Sequence, residues 1–319
     1  MLLGVIAATL VLTHDALPAG AETFECQKPT SPLARLICGD PLLRAADAEE
    51  NGIYDTALTA SLDRSALREE ERAWFAREIL PYNWFADHQM PINNGDVIDA
   101  YRKRADGLRQ QTQLWRKLRH SLPGAALAAS CLELPMDPSN TGCSVAAFAP
   151  IAAAPSLRYQ LQLYSQPAAP NAIVIFAATP EQPDNWLPLA VRMSKDGMLG
   201  APQAIASPFG TLVTIAGSAR GDDNGSALYR LTPDALEDID DRSWLETLHA
   251  HLPDGLVLSP EITADYGKMQ ALATVTRSQS SCCPVGAQAA IDLAIENDRV
   301  VVSGVTFGGS EGPPNGNRN

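Results

Sequence analysis

Ile37-Cys38-Gly39-Asp40-Pro41-Leu42-Leu43 decides how the first hundred residues fold. An Asp followed by Pro reads as a helix start: the carboxylate accepts from free amides, and Pro suits the first helical position. Beyond it Leu43, Ala46, Glu50, Tyr54, Ala57 and Leu58 recur at three- and four-residue steps, a mostly apolar stripe along one helix face. Upstream stands Phe24-Glu25-Cys26, and eleven residues separate Cys26 from Cys38. A disulfide closing so short a loop stabilises a small domain by roughly 2–3 kcal/mol.

Two more helices follow by the same reasoning. Asp63 or Ser65 starts the second, with Leu67, Trp74 and Phe75 on its inner face and Glu69, Glu70 and Glu71 near its positive end. Pro81 ends it. An irregular connection through Pro91 and Asn93-Asn94-Gly95 leads to a third helix, capped by Asp96. It carries Val97, Tyr101, Ala105, Leu108, Trp115 and Leu118 at helical spacing, and Pro123-Gly124 stops it.

The chain has 319 residues, 45% of them hydrophobic, which suits two packed domains rather than a disordered chain. Its net charge of −13 argues against a nucleic-acid partner, because phosphate binding needs a basic face. The acidity is uneven: residues 22–122 carry 16 acidic and 14 basic side chains, residues 123–319 carry 20 and 10. Leu2–Leu12 is an apolar run too short to span a bilayer, and Ala19-Gly20-Ala21 reads as a cleavage site. Met1–Ala21 is therefore predicted to be a signal peptide, and no membrane anchor is expected after its removal. Export to the periplasm or beyond implies an oxidising compartment, where six Cys read first as disulfides.

Phe24, Cys26, Ile37, Cys38, Asp40, Pro41, Asp47, Tyr54, Arg72, Trp74, Tyr101, Arg104 and Leu108, in that order, resemble the N-terminal domain of the LprI-type lysozyme-inhibitor family. The resemblance covers about 90 of the 319 residues. It implies a helical, disulfide-pinned unit and a partner among cationic lysozymes. Many members carry a second Cys pair between the Trp and the last Tyr; here Ile79–Val97 replaces it. Read residue by residue, Tyr54, Trp74 and Tyr101 suit core packing, and Arg72 with Asp47 suits a structural ion pair.

After Pro123 the pattern changes. Leu157–Tyr164, Ala172–Ala177, Leu187–Met193, Gly210–Ala216, Ala271–Arg277, Ala289–Glu296 and Arg299–Phe307 alternate as strands. Pro170-Asn171, Pro183-Asp184-Asn185, Asp196-Gly197 and Asp223-Asn224-Gly225 read as turns, and Asn297-Asp298 as a hairpin turn. Asp234–Leu252 reads as a helix. The expected class is α+β in two domains: a three-helix disulfide-pinned bundle over 22–122, then mostly antiparallel β over 123–307, a sandwich or open barrel with one or two helices. Residues 308–319 form a Gly/Pro/Asn tail predicted to be disordered. Cys131 and Cys143 repeat the eleven-residue spacing and suit a local bridge, which leaves Cys282 beside Cys283. The alternative is that those two reach back to Cys131 and Cys143, since a vicinal bridge is strained. The Cys-Cys-Pro segment is similar to the C-terminal part of uncharacterised exported bacterial proteins.

Catalytic signals are weak. His249 and His251 point to different helix faces and make a poor metal site. Asp222-Asp223-Asn224-Gly225-Ser226 lacks the length of a calcium loop. No G-x-S-x-G or S-x-x-K motif occurs. No catalytic residue, cofactor or metal is expected. The sequence favours an exported, non-enzymatic binding protein of the cell envelope, with lysozyme-type hydrolases as candidate partners. The alternative is a periplasmic hydrolase or carbohydrate-processing enzyme using carboxylates of the β-rich part.

Overall fold

The computed structural model describes Phe24 and residues 26–135, 142–165, 171–179, 182–194, 198–217, 226–233, 235–253, 256–277 and 287–308. The leader, Cys282-Cys283, the Asp222–Gly225 turn and the C-terminal tail lie outside them, as do Pro170 and Asp196-Gly197 of the expected turns.

Helices fill the first part and antiparallel strands the rest. Two helices before Pro123 were not foreseen. α1 (Pro32–Gly39) lies between Cys26 and Asp40, where no helix was expected; Ser31 caps it, accepting from Ala34 N at 3.0 Å, and Pro32 opens it. α2 (Pro41–Ala60) starts as expected, with Asp40 accepting from Leu42 and Leu43. α3 (Arg64–Trp74) is capped by Asp63.

Pro81 does not end that helix. α3 runs into a π turn over Phe75–Ile79, closed by Leu80 N donating to Phe75 O at 2.8 Å. Residues five apart share a face in such a turn, so Trp74 and Ile79 are both buried. Pro81 is then the first residue of α4 (Pro81–Asp87) within the stretch read as irregular, because Pro disrupts a helix interior but not its first turn. α5 (Asn94–Leu118) is capped by Asn93 rather than Asp96. Asn93 Oδ1 accepts from Gly95 N at 3.1 Å while its Nδ2 donates to Asp96 at 3.0 Å.

Three four-stranded meanders follow in chain order. The first contains β2 (Cys143–Ile151), β3 (Ala154–Tyr164), β4 (Asn171–Thr179) and β5 (Gln182–Ser194). The two-residue β1 (Leu122–Pro123) is added outside β5, and α6 (Gly124–Ala129) follows β1. The second contains β6 (Gln203–Ser207), β7 (Gly210–Ile215), β8 (Ala227–Leu231) and β9 (Leu236–Ile239). The third contains β10 (Leu256–Asp265), β11 (Gln270–Arg277), β12 (Ala287–Glu296) and β13 (Arg299–Gly308). Pro183-Asp184-Asn185, read as a turn, lies inside β5. Asp234–Leu252 is not one helix: β9 occupies its first part, and only α7 (Ser243–Leu248) and a short 3₁₀ turn over His249–His251 are helical. Leu236 and Ile239 pack into different sheet interfaces, which fits a strand. Asn297 and Asp298 do form the last hairpin turn, both left-handed at φ 48° and 59°.

The sheets stack face to face. Ile173 and Ile175 of the first meander meet Val213, Ile215 and Tyr229 of the second. The next residues, Leu212 and Leu228, point the other way and meet Ala271, Ala273 and Ile291 of the third. The middle sheet is thus buried on both faces, which explains its nearly continuous apolar runs. On the outer side of the first sheet, Val174, Phe176, Trp186 and Val191 pack with Ala60, Leu62, Trp115 and Leu118 of the helices. The architecture is four layers: helices, then three sheets. This stacked arrangement replaces the expected choice between one sandwich and one barrel.

Two disulfides are present, Cys26–Cys38 and Cys131–Cys143, with Cα separations of 5.3 and 6.2 Å. They mark an oxidising compartment. No helix among the described residues is long and apolar enough to cross a membrane.

Candidate functional site

Most of the motif residues turn out to build the helical core. Tyr101 donates from its hydroxyl to Asp47 at 3.1 Å and meets Trp74 edge-on at 5.6 Å. Tyr54 and Leu108 share a buried cluster with Ala57 and Leu67. Phe24 packs on Phe75 with ring centroids 6.1 Å apart. The expected Arg72–Asp47 pair is absent: Asp47 is buried against Tyr101 and Asn51, whereas Arg72 is exposed on the other side of α3. The cation in this part of the helices is the part-buried Arg104, which donates to Glu71 from Nε at 3.0 Å and lies over the Trp74 ring.

Between α2, α3 and α5 this leaves a buried acidic pair. Burial and the neighbouring Glu71 push Glu50 up to about 8, and burial also raises Glu71. Burial and Glu71 thus favour the protonated form of Glu50 beside the Glu71 carboxylate that Arg104 holds. Burial raises Asp47 to about 6. Glu50 was legible as a charged residue inside an apolar stripe.

A second charged cluster joins helices to sheets. Arg192 of β5 reaches Asp63 at 3.5 Å and Glu69 at 3.8 Å. Arg242 reaches Glu69 at 3.2 Å, and Arg68 and Ser65 both donate to Asp238. Burial raises Asp63 and Asp241 to about 6. The void beside them measures about 20 Å³, room for a water and not for a sugar ring.

The exposed chemistry lies on α4, none of whose residues is fully buried. Trp84 is 54% exposed and Leu80 48%. Trp84 stacks on His88 at 4.4 Å and meets Phe85 edge-on at 5.2 Å. Leu80, Trp84 and His88 are four apart and make one ridge. Behind the ridge, between α1 and α4, runs an open groove of about 390 Å³. Leu33 N donates to Asn83 at 3.1 Å across the two helices, and the Cys26–Cys38 bridge holds α1 at its C-terminal end. Sequence reasoning missed this face because Tyr82-Asn83-Trp84-Phe85 follows a Pro and reads as loop.

Among the described residues no cluster of His, Cys, Asp and Glu has metal-binding geometry. His251 lies in the 3₁₀ turn after α7, and Ser226 borders the charged junction. The chain matches no known family profile, no curated protein and no solved structure.

Proposed function

We propose that this chain is an exported, non-enzymatic binding protein of the cell envelope. A helical unit over 22–122 presents the binding face, and a β-rich unit over 123–307 supports it. The observation that carries the reading is the α4 ridge. Large aromatic side chains exposed on a helix braced by a disulfide-pinned neighbour are costly to leave in water, and Trp and Tyr are enriched at interface hot spots. The partner follows from the resemblance of residues 24–108 to lysozyme inhibitors: a lysozyme-type hydrolase. A cationic enzyme of that kind would be drawn to the β-rich half, where acidic side chains outnumber basic ones 20 to 10. Nothing comparable supports hydrolysis: among the described residues, the void lined by the raised carboxylate Asp241 measures only about 20 Å³.

The test is lysozyme turnover of a cell-wall substrate with the mature protein added. Inhibition at micromolar concentration, stronger at low salt and relieved by Trp84→Ala with Phe85→Ala, supports the proposal. Unchanged turnover at tens of micromolar removes lysozyme as partner.

A further inference from the structure

The groove behind the ridge has features that the ridge does not use. Pro32 and Leu36 of α1 face Met90 and Ile92, giving an apolar floor. Arg35, Gln89 and Asn94 stand along it. Arg35 is exposed and pairs with no carboxylate among the described residues. Asp40, bonded to the groove residue Asn94 at 2.7 Å, is also engaged by the first amides of α2. Its pKa is lowered by those hydrogen bonds, so it stays a charged cap.

The wall at Gln89 is strained. α4 ends in a Schellman closure: Met90 N donates to Phe85 O at 3.0 Å and Gln89 N to Ala86 O at 3.3 Å. The residue at the left-handed position is normally Gly, yet here it is Gln at φ 52°. The closure leaves Met90 43% exposed at the groove instead of folded back on α4. Strain of this kind gathers at ligand clamps.

We infer that the α1–α4 groove binds an extended peptide segment that carries an apolar side chain and a free carboxylate. The apolar side chain seats on Pro32, Leu36, Met90 and Ile92. The side-chain amides of Gln89 and Asn94 meet peptide groups, and Arg35 meets the carboxylate. The groove is open to solvent, so a peptide's backbone groups can stay hydrated there, whereas a hydrocarbon chain would leave apolar surface in water. Its walls are fixed before binding by the Leu33–Asn83 hydrogen bond and the Cys26–Cys38 bridge. The inference rests on reading this face as a binding surface and adds the chemistry of what it holds.

The test uses the full mature chain labelled at the Met methyls, with the Met90 resonance assigned by Met90→Leu. Acetyl-Leu-Leu-Leu with a free carboxylate is titrated beside the same peptide as its carboxamide. The acid is expected to shift Met90 saturably and to bind about fivefold tighter than the amide, a preference that Arg35→Gln removes. Absence of a saturable shift, or equal binding of acid and amide, overturns the inference. A shift with decanoate and none with either peptide also overturns it and assigns the groove to a lipid. Arg35 is exposed and pairs with no acid among the described residues, so its loss should leave the fold intact. If lysozyme turnover is unaffected while the Met90 shift and its carboxylate preference persist, the hydrolase partner falls and the groove stands.

Discussion

Arg192 lies 3.5 Å from Asp63, and both side chains are only 2% exposed. One belongs to β5 and the other caps α3, so the pair ties the helices to the first sheet. The backbone runs the same way: Val191 N donates to Leu62 O at 2.6 Å, and Met193 N to the Asp63 carboxylate at 3.2 Å. Helices and sheets are therefore expected to unfold together. Arg192→Met leaves Glu69 and the buried Asp63 without that cation and should cost about 3–5 kcal/mol. Chemical denaturation followed by circular dichroism and by Trp fluorescence checks this. The two signals should shift equally; a shift in only one would show that the helices and sheets unfold independently.

Stability should be greatest in mild acid. Asp47, Asp63 and Asp241 titrate near 6 in the folded protein and Glu50 near 8, all above their ordinary values because of burial. A folded state with raised carboxyl pKa values binds more protons than the unfolded chain between about pH 4 and 8. Its stability therefore falls as pH rises through that window. Thermal melts should give a higher Tm at pH 5 than at pH 8. Glu50→Gln keeps a donor toward Glu71 and removes the titration. It should stabilise the protein at pH 8 by on the order of 2 kcal/mol and leave pH 5 nearly unchanged.

These clusters show why the sequence could be read only in part. The Asp40-Pro41 start, the Asp63 cap and the alternation of Ala289, Ile291, Leu293 and Ile295 are local signals, and each became the expected element. Pro81 misled because the same residue ends one helix or opens another, and an upstream π turn decided which. Leu236–Ile239 misled because a strand of four residues is shorter than any helical period can reject. The stacking of three sheets had no local signal, since it depends on which face of each strand meets which. The same holds for the site. Glu50 was visible as a charge in an apolar stripe, but Arg192 and Asp63 are 129 residues apart and meet only in the folded chain.

Reduction of Cys26–Cys38 should affect binding more than its position at the edge of the fold suggests. The bridge spans 12 residues and flanks α1, one wall of the groove. Cys26→Ser with Cys38→Ser is expected to cost about 2–3 kcal/mol. It should also weaken any ligand of the α1–α4 groove by loosening a preformed wall. Comparing Tm with the Met90 methyl titration separates the two effects.

Gln89→Gly sets stability against function at one position. A non-Gly residue in the left-handed region costs about 1–2 kcal/mol, and Gly there loses roughly 0.5–1 kcal/mol more backbone entropy on folding. The difference favours Gly by roughly 0–1.5 kcal/mol, so the variant should melt at a somewhat higher temperature. It also removes an amide from the groove, so peptide affinity should fall about twofold or more. A neutral residue would do neither. A variant that gains stability and keeps full affinity would show that Gln89 only closes α4 and takes no part in binding.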